Sequence, residues 1–247
     1  MKPYGDQRGK KEQVEAMFDN IAPAYDRLND IMSFGVARAW RRAAVRRVRR
    51  TVAGHGIENG AAQILDLATG TGDMAVKMAL KMPGAHITGA DLSEGMLALA
   101  RHKAEKTGCS GRVEFHKAEA EQLPFSDGEF DAVTVAFGVR NFGDIPQGLR
   151  EIQRVLRPGG RVFILEFSTP RGKIFGGAYR FYFHRVLPLI GGGISSDRAA
   201  YSYLPGSVEE FPAPERFVQM MEEAGFSQCR AEKFTGGVAY IYSGVKP

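Results

Sequence analysis

Two cysteines, Cys109 and Cys229, are all that this 247-residue chain contains. So isolated a pair sets neither a disulfide framework nor a metal-ligand spacing, and a reducing cytoplasm is the simplest compartment for it. Long apolar runs are missing as well. No stretch reaches the roughly eighteen residues needed to cross a bilayer, so no membrane span is expected. The N-terminus, Met1-Lys2-Pro3-Tyr4-Gly5-Asp6, has no apolar segment of the secretory type. There is no internal repeat and no low-complexity tract. The five histidines show no metal spacing, and no metal site is expected.

Acidic residues are absent from one long stretch. None occurs from Ile31 to Ile57, while seven arginines fall between Arg38 and Arg50 and the net charge is +5. Acids gather later, around Glu119, Glu121, Asp127, Glu129 and Asp131. A basic block of this kind suits an anionic surface, membrane or nucleic acid, and suits a merely solvated helix face equally well.

What is present is a core. Apolar residues make up 44% of the chain, enough for one well-filled α/β domain. Residues 11–33 read as helix and then loop, with a break from Asp26 to Asn29. Residues 36–53 read as a basic amphipathic helix, with Val36, Trp40, Ala44, Val48 and Val52 on one face and Arg38, Arg42, Arg46 and Arg49 on another. From residue 63, short β-branched runs alternate with helical stretches. The expected strands are Ile64–Ala68, His86–Asp91, Arg112–His116, Asp131–Phe137 and Arg161–Phe167; the expected helices span 73–82, 94–106 and 145–155. This rhythm predicts a doubly wound, mostly parallel α/β sheet. A helix at 214–224 and two strands near 228–234 and 238–245 close the chain. Gly236-Gly237 serves as the hairpin turn. The expectation is one domain with a seven-stranded sheet ending in an antiparallel hairpin. Residues 1–57 form an N-terminal helical lid, 63–167 the cofactor-binding core, 168–212 an inserted substrate cap, and 213–247 the last helix and hairpin.

Chemistry concentrates where strands end. Ile64-Leu65-Asp66-Leu67-Ala68-Thr69-Gly70-Thr71-Gly72-Asp73 runs a buried strand through a glycine turn into a helix. Gly70, Gly72 and Ala75 satisfy the dinucleotide pattern, which alone also fits NAD. Asp66 tilts the reading. A carboxylate there suits the ammonium of a methionine moiety and sits poorly beside a pyrophosphate, although it also serves as a turn cap. Asp91 ends the second strand, where such folds place an acid against ribose hydroxyls; its plainer role is a helix N-cap. After the third strand, Glu119 in Ala118-Glu119-Ala120-Glu121 suits the adenine amine, while Leu123 and Phe125 suit the pocket wall.

Four stretches carry a resemblance. They are Met17-Phe18-Asp19-Asn20-Ile21-Ala22-Pro23-Ala24-Tyr25-Asp26, Phe137-Gly138-Val139-Arg140-Asn141, Arg154-Val155-Leu156-Arg157-Pro158-Gly159-Gly160 with Leu165-Glu166-Phe167-Ser168, and Tyr201-Ser202-Tyr203-Leu204-Pro205-Gly206-Ser207-Val208. Through them the chain resembles the ubiquinone/menaquinone biosynthesis C-methyltransferases from about Val14 to Lys246. The resemblance implies a class I, Rossmann-like methyltransferase fold with S-adenosylmethionine as cofactor. It implies that Thr71, Asp91 with Leu92, Glu119, Ala120 and Ala136 touch that cofactor, joined by Asp66, Gly70 and Gly72 of the turn. Tyr25, with Phe18, suits a lid over it or, on the plainer reading, ordinary packing of the N-terminal helix. Three departures stand out. Ala136 replaces a frequent hydroxyl residue, Glu119 replaces a shorter acceptor, and Leu28 and Ala37 replace a Met and a His, so that His carries no chemistry here.

The implied reaction is methyl transfer to a ring carbon of a prenylated quinol, demethylmenaquinol foremost and the ubiquinone-precursor benzoquinol as the alternative. Ionising a phenol-like hydroxyl of pKa about 10 at pH 7 costs roughly 4 kcal/mol. Aligning the reactants lowers the barrier by roughly 7–11 kcal/mol, so positioning is the larger contribution. Arg140 and Asn141 are the catalytic candidates, Arg140 as an oxyanion stabiliser or, on the plainer reading, as the partner of an acid. Apolar and aromatic residues of the cap, Phe175 and Tyr179 to Ile190, suit an isoprenoid channel or a simple cover, and His184 suits proton removal or, more commonly for a lone histidine, a structural role. Partners implied are the quinol and, through the arginine block, a peripheral contact with anionic membrane. No nucleic acid is expected, and a homodimer stays open. Competing readings are methylation of a phospholipid amine or RNA, an NAD-linked oxidoreductase, and a non-catalytic quinone-binding protein.

Overall fold

A computed structural model describes residues 1–26, 33, 35–54, 62–170, 177 and 198–247. The chain begins with α1 (Lys10–Ile21), a 3-10 turn (Ala22–Ala24) and the basic helix α2 (Ala37–Gly54). Alternation then starts: β1 (Gln63–Leu67), α3 (Asp73–Lys81), β2 (His86–Asp91), α4 (Glu94–Lys106), β3 (Val113–Lys117) and β4 (Phe130–Ala136). A 3-10 turn (Val139–Asn141), α5 (Ile145–Val155), β5 (Leu156–Phe167), α6 (Arg198–Glu210), α7 (Pro214–Glu223), β6 (Ser227–Phe234) and β7 (Ala239–Val245) follow.

The seven strands form one sheet in the order β3-β2-β1-β4-β5-β7-β6. The first five are parallel, and β7 runs antiparallel between β5 and β6. That is the expected doubly wound sheet with its terminal hairpin. Strand order reverses between β2-β1 and β1-β4, so the crevice for a ligand opens at the carboxyl ends of β1, β2 and β4.

The central strands are buried on both faces, which is why they read as continuous apolar runs. One apolar layer joins α2 and α3 to the sheet through Trp40, Val48, Val76 and Met78. The other joins α5 and α7 through Leu149, Ile152, Phe217 and Tyr242. A smaller cluster of Val14, Met17, Ile21, Met96 and Tyr203 seats α1 on α4 and α6.

One expectation needs correction, and two findings add to the reading. The fifth strand begins at Leu156 rather than Arg161; Leu156 pairs with Phe130 before the register shifts, and Pro158-Gly159-Gly160 hides this pairing from a periodicity reading. The stretch 168–212 is not all apart from the core. Its helix α6 puts Tyr203 and Val208 into the buried clusters, and Phe211 just beyond joins them. The inward face of α2 also carries a charge, because Arg41 is buried among the alanines and valines. Calls on Leu28, Asn29, His184 and the aromatics Phe175 and Tyr179 to Ile190 lie outside the described residues.

Candidate active site

A cleft with about 730 Å³ of empty space, part of it open to solvent, occupies the crevice at the strand-order reversal. Its floor is the end of β1 and its turn (Leu67, Ala68, Gly70) with Ala136, Phe137 and Gly138 at the end of β4. Asp91 and Leu92 form one wall, Ala118 to Glu121 the next, and Asn141 to Gly143 the far side. Val14, Phe18 and Tyr25 cover it from α1 and the turn that follows. Phe18 and Tyr25 meet edge to face at 5.9 Å between ring centres.

Two of the floor residues are strained. Ala68 has φ +53° and Phe137 φ +61°, and neither is glycine. Such conformations cost on the order of 1–3 kcal/mol each and persist only where the surroundings over-determine them. They turn the chain sharply at the ends of β1 and β4 and leave the crevice open between. The strands pack so closely here that a Cβ on Gly138 would lie 2.4 Å from that of Ala68.

Asp91 has the geometry of an anchored acceptor. Its carboxylate takes the Gly70 N–H at 2.8 Å and the Ser93 N–H at 3.0 Å. Burial pushes its pKa up, against the pull of those N–H groups. Ser93, not Asp91, caps α4, because its hydroxyl accepts from the Met96 N–H. Asp91 is thereby left to face the cavity. Glu119 stands at the rim and is paired with Lys11 of α1.

Asp66 lies one step deeper, 1% exposed. Its oxygens accept from the hydroxyls of Thr134 at 2.6 Å, its cross-strand neighbour, and of Thr69 at 2.7 Å. Burial still raises its pKa to about 6. It lines a smaller pocket together with Thr71, Asp26 and Arg41. That pocket shares Tyr25, Ala68, Gly70 and Ala136 with the main cavity, so the two adjoin. Thr71 donates to Asp26 at 2.7 Å and accepts from Lys103 at 3.0 Å.

The structure brings together most of the expected residues. Tyr25, Gly70, Asp91, Leu92, Glu119, Ala120, Ala136 and Asn141 line the main cavity, and Asp66 and Thr71 line the adjoining pocket. Gly72 lines neither. It is the left-handed N-cap of α3, at φ +77°, where a Cβ would stand 2.9 Å from Ala100, so its glycine serves close helix packing. Arg140 also stands back. Its guanidinium donates to Glu166 and to the Phe137 carbonyl, each at 2.6 Å, within an ion pair whose side chains are 4% and 0% exposed. A direct contact between Arg140 and an oxyanion is therefore corrected to the acid pairing weighed against it. Asn141 does reach the cavity, and its Oδ1 accepts from the Tyr203 hydroxyl at 3.1 Å. Burial holds Tyr203 protonated, its pKa pushed up to about 12.

Sequence reasoning missed Ala68, Phe137, Phe142, Lys11 and Arg41. Apolar floor residues carry no chemical signal in a sequence. Lys11 and Arg41 reach the site only through the packing of α1 and α2, across dozens of residues of chain.

Comparison with known proteins gives a consistent placement. The model of the ubiE/COQ5 methyltransferase family matches residues 6–246. The demethylmenaquinone methyltransferase of Thermus thermophilus is 52% identical over 231 residues, covering 94% of this chain and 100% of the relative. The ubiquinone/menaquinone biosynthesis C-methyltransferase UbiE of Geobacter sulfurreducens is 49% identical, covering 96% and 90%. Among solved structures, the [4+2]-cyclase SpnF superposes with a TM-score of 0.69 at 20% identity, covering 96% of each chain. A SAM-dependent methyltransferase of Thermotoga maritima gives 0.62 at 20% identity, covering 95% and 100%. At such identities the likeness speaks for the fold alone.

Proposed function

The chain belongs to the ubiE/COQ5 methyltransferase family, and from that premise we propose that it transfers the methyl group of S-adenosylmethionine to a ring carbon of demethylmenaquinol. One observation carries the reading. The cavity lining combines the carboxylates of Asp91 and Glu119 with the aromatic side chains of Phe18, Phe137 and Phe142. The carboxylates suit the hydroxyls and amine of a nucleoside, and the aromatic side chains suit a flat aromatic acceptor. Asp91 would take the ribose hydroxyls, and Ala120, Leu92 and Met96 would flank the adenine. Bound here, the cofactor supplies an electrophilic methyl group.

Asn141 is the side chain suited to the quinol oxygen. Tyr203 occupies its Oδ1, and its Nδ2 has only a 3.4 Å contact with the Phe137 carbonyl, so that N–H is the donor left for a ligand. A hydrogen bond to the developing phenolate lowers the cost of ionising the ring. Arg140 positions Asn141 by holding the same Phe137 carbonyl.

The acceptor reaches the site from a bilayer, yet no helix among the described residues is long and apolar enough to cross one. Arg42, Arg46 and Arg49 of α2 and Lys77 and Lys81 of α3 line one surface groove with the 52% exposed Leu80. Five cations beside an exposed apolar side chain suit an anionic lipid surface, at about 1 kcal/mol for each basic residue. Equal flotation with neutral and anionic vesicles would remove this membrane contact from the proposal.

Labelled S-adenosylmethionine and reduced, short-tailed demethylmenaquinol test the reaction, with the benzoquinol precursor as a second acceptor. Labelled menaquinol is expected from the wild type, with a roughly hundredfold slower rate for Asn141→Ala. Labelling of the benzoquinol alone would transfer the assignment to the ubiquinone branch. Labelling of neither would end the quinol reading.

A further inference from the structure

Tyr203 reaches the site from α6, far along the chain from the strands that build it. Its side chain lies in the buried cluster with Val14, Met17, Ile21 and Met96, and the residue is 3% exposed. Packing of that kind holds the hydroxyl at one place, 3.1 Å from Asn141 Oδ1. Tyr203 is not among the residues that line the cleft, so it acts on a ligand only through a neighbour. Burial, outweighing the Arg140 guanidinium, pushes its pKa up to about 12. The hydroxyl therefore keeps its proton at neutral pH, and a buried O–H needs an acceptor. Among the described residues that acceptor is Asn141 Oδ1.

A side-chain amide has two ends of similar shape, and turning it over exchanges a donor for an acceptor. Asn141 gives Oδ1 to the Tyr203 proton and turns Nδ2 toward the Phe137 carbonyl at 3.4 Å. Turned over, it would set Oδ1 against that carbonyl oxygen and Nδ2 against the Tyr203 hydroxyl. Two oxygens would then meet, and the Tyr203 proton would lose its acceptor. The Phe137 contact is the weaker constraint, being long and made to an oxygen that Arg140 already takes at 2.6 Å. We infer that Tyr203 is a positioning residue for methyl transfer: its hydroxyl fixes the amide of Asn141 so that the Nδ2 N–H, not Oδ1, is presented to the quinol oxygen. The inference rests on the quinol reading above and deepens it, because it names the side chain that makes Asn141 a donor. An amide oxygen beside a developing phenolate repels it, whereas an N–H lowers the cost of forming it. Thus α6 sets the polarity of a side chain carried by the turn after β4.

The test is methyl transfer by the full chain at saturating S-adenosylmethionine and quinol, followed across pH. The acceptor is whichever of demethylmenaquinol and the benzoquinol precursor the wild type labels. Wild type, Tyr203→Phe, Asn141→Ala and the double variant are compared. Tyr203→Phe keeps the ring and removes only the hydroxyl. It is expected to lower kcat roughly tenfold, the scale of one hydrogen bond. The acid limb of its kcat profile is expected to move up by roughly one pH unit, because a phenolate without its N–H is harder to form. In the Asn141→Ala background the same change should alter kcat by less than about twofold, since no amide is left to aim. Calorimetry is expected to find S-adenosylhomocysteine affinity within about twofold of wild type, because the cofactor does not depend on the Tyr203 hydroxyl. Thermal unfolding of the same samples reports whether each variant is folded. A loss that persists in the Asn141→Ala background, or that comes with weaker S-adenosylhomocysteine binding and an unmoved acid limb, would mean that Tyr203 only packs α6 on α1, and the inference falls. A Tyr203→Phe enzyme as fast as wild type overturns it as well. An Asn141→Ala enzyme as fast as wild type would refute Asn141 as the donor, and Tyr203 with it, while leaving the methyl transfer standing. A wild type that labels neither acceptor would refute the quinol reading itself.

Discussion

The site has two halves that are built in opposite ways. The sheet half is a frame of strained or buried groups: Ala68 and Phe137 with positive φ, the Arg140–Glu166 ion pair, and the enclosed Asp66. The helical half is a cover held by half-exposed contacts. Lys11 pairs with Glu119, Lys117 with Glu15 at 2.6 Å, and Lys10 donates to the Phe142 carbonyl at 2.6 Å. Only a small cluster around Met17 and Ile21 lies beneath it. The frame concentrates costly features where neighbours on every side enforce them, and so it keeps one geometry. The cover relies on contacts worth little apiece in water, which suits a part that parts from the sheet when cofactor or product exchanges.

The contrast breaks most severely at Glu166. Removing one partner of a fully buried ion pair leaves an uncompensated charge, at a cost of about 3–5 kcal/mol. Glu166→Ala is therefore expected to lower the urea midpoint sharply, and Arg140→Ala to do much the same. The double variant should lose clearly less than the sum, because it strands neither charge. A Glu166→Ala protein as stable as wild type would show that the frame does not depend on this pair.

At Asp66 the effect is smaller and of opposite sign. Its folded-state pKa of about 6 lies above the ordinary value of 3.8, so folding disfavours its charged form. The penalty is full above about pH 7, shrinks as pH falls through 6, and is gone below the unfolded value near 4; two units correspond to about 3 kcal/mol at most. Asp66→Asn should be more stable than wild type at pH 7, with the gap closing by pH 4, and should bind S-adenosylhomocysteine more weakly. Stability traded for binding at one residue is what a site in the frame should show. Urea titrations at several pH values would count against this if the variant were less stable at pH 7 by a margin that pH did not alter.

These differences also explain what the sequence could disclose. The strand–helix rhythm from residue 63 and the terminal hairpin were legible because buried parallel strands and helices leave periodic traces. Asp66, Gly70 and Asp91 were legible because each sits at a strand end, where this fold binds ligands. Arg41 was not, since burial of one arginine among seven depends on how α2 packs against α3 and Phe137. Arg140 was found but misread. The motif marks it, whereas its guanidinium is turned by Glu166, 26 positions along the chain. Leu156 as a strand start was hidden because Pro158 and Gly159 interrupt the alternation on which strand reading depends.

The mildest break falls on the cover. Lys11 and Glu119 have side chains 45% and 42% exposed, so their pairing adds little to stability. Lys11→Ala should shift the thermal midpoint by less than about 2 °C. Its consequence should appear in exchange. If the cover opens by breaking screened ion pairs, displacement of S-adenosylhomocysteine from the wild type should speed up as salt rises past the range where charges are screened within about 10 Å. Lys11→Ala should already release the ligand faster at low salt and respond less to added salt, since one of the screened contacts is gone. Stopped-flow displacement at two ionic strengths reads this directly. Equal salt dependence in both proteins would mean that Lys11 does not take part in opening, and that the Lys117–Glu15 pair, the Lys10–Phe142 contact and the apolar cluster of Met17, Ile21 and Tyr203 hold the cover without it.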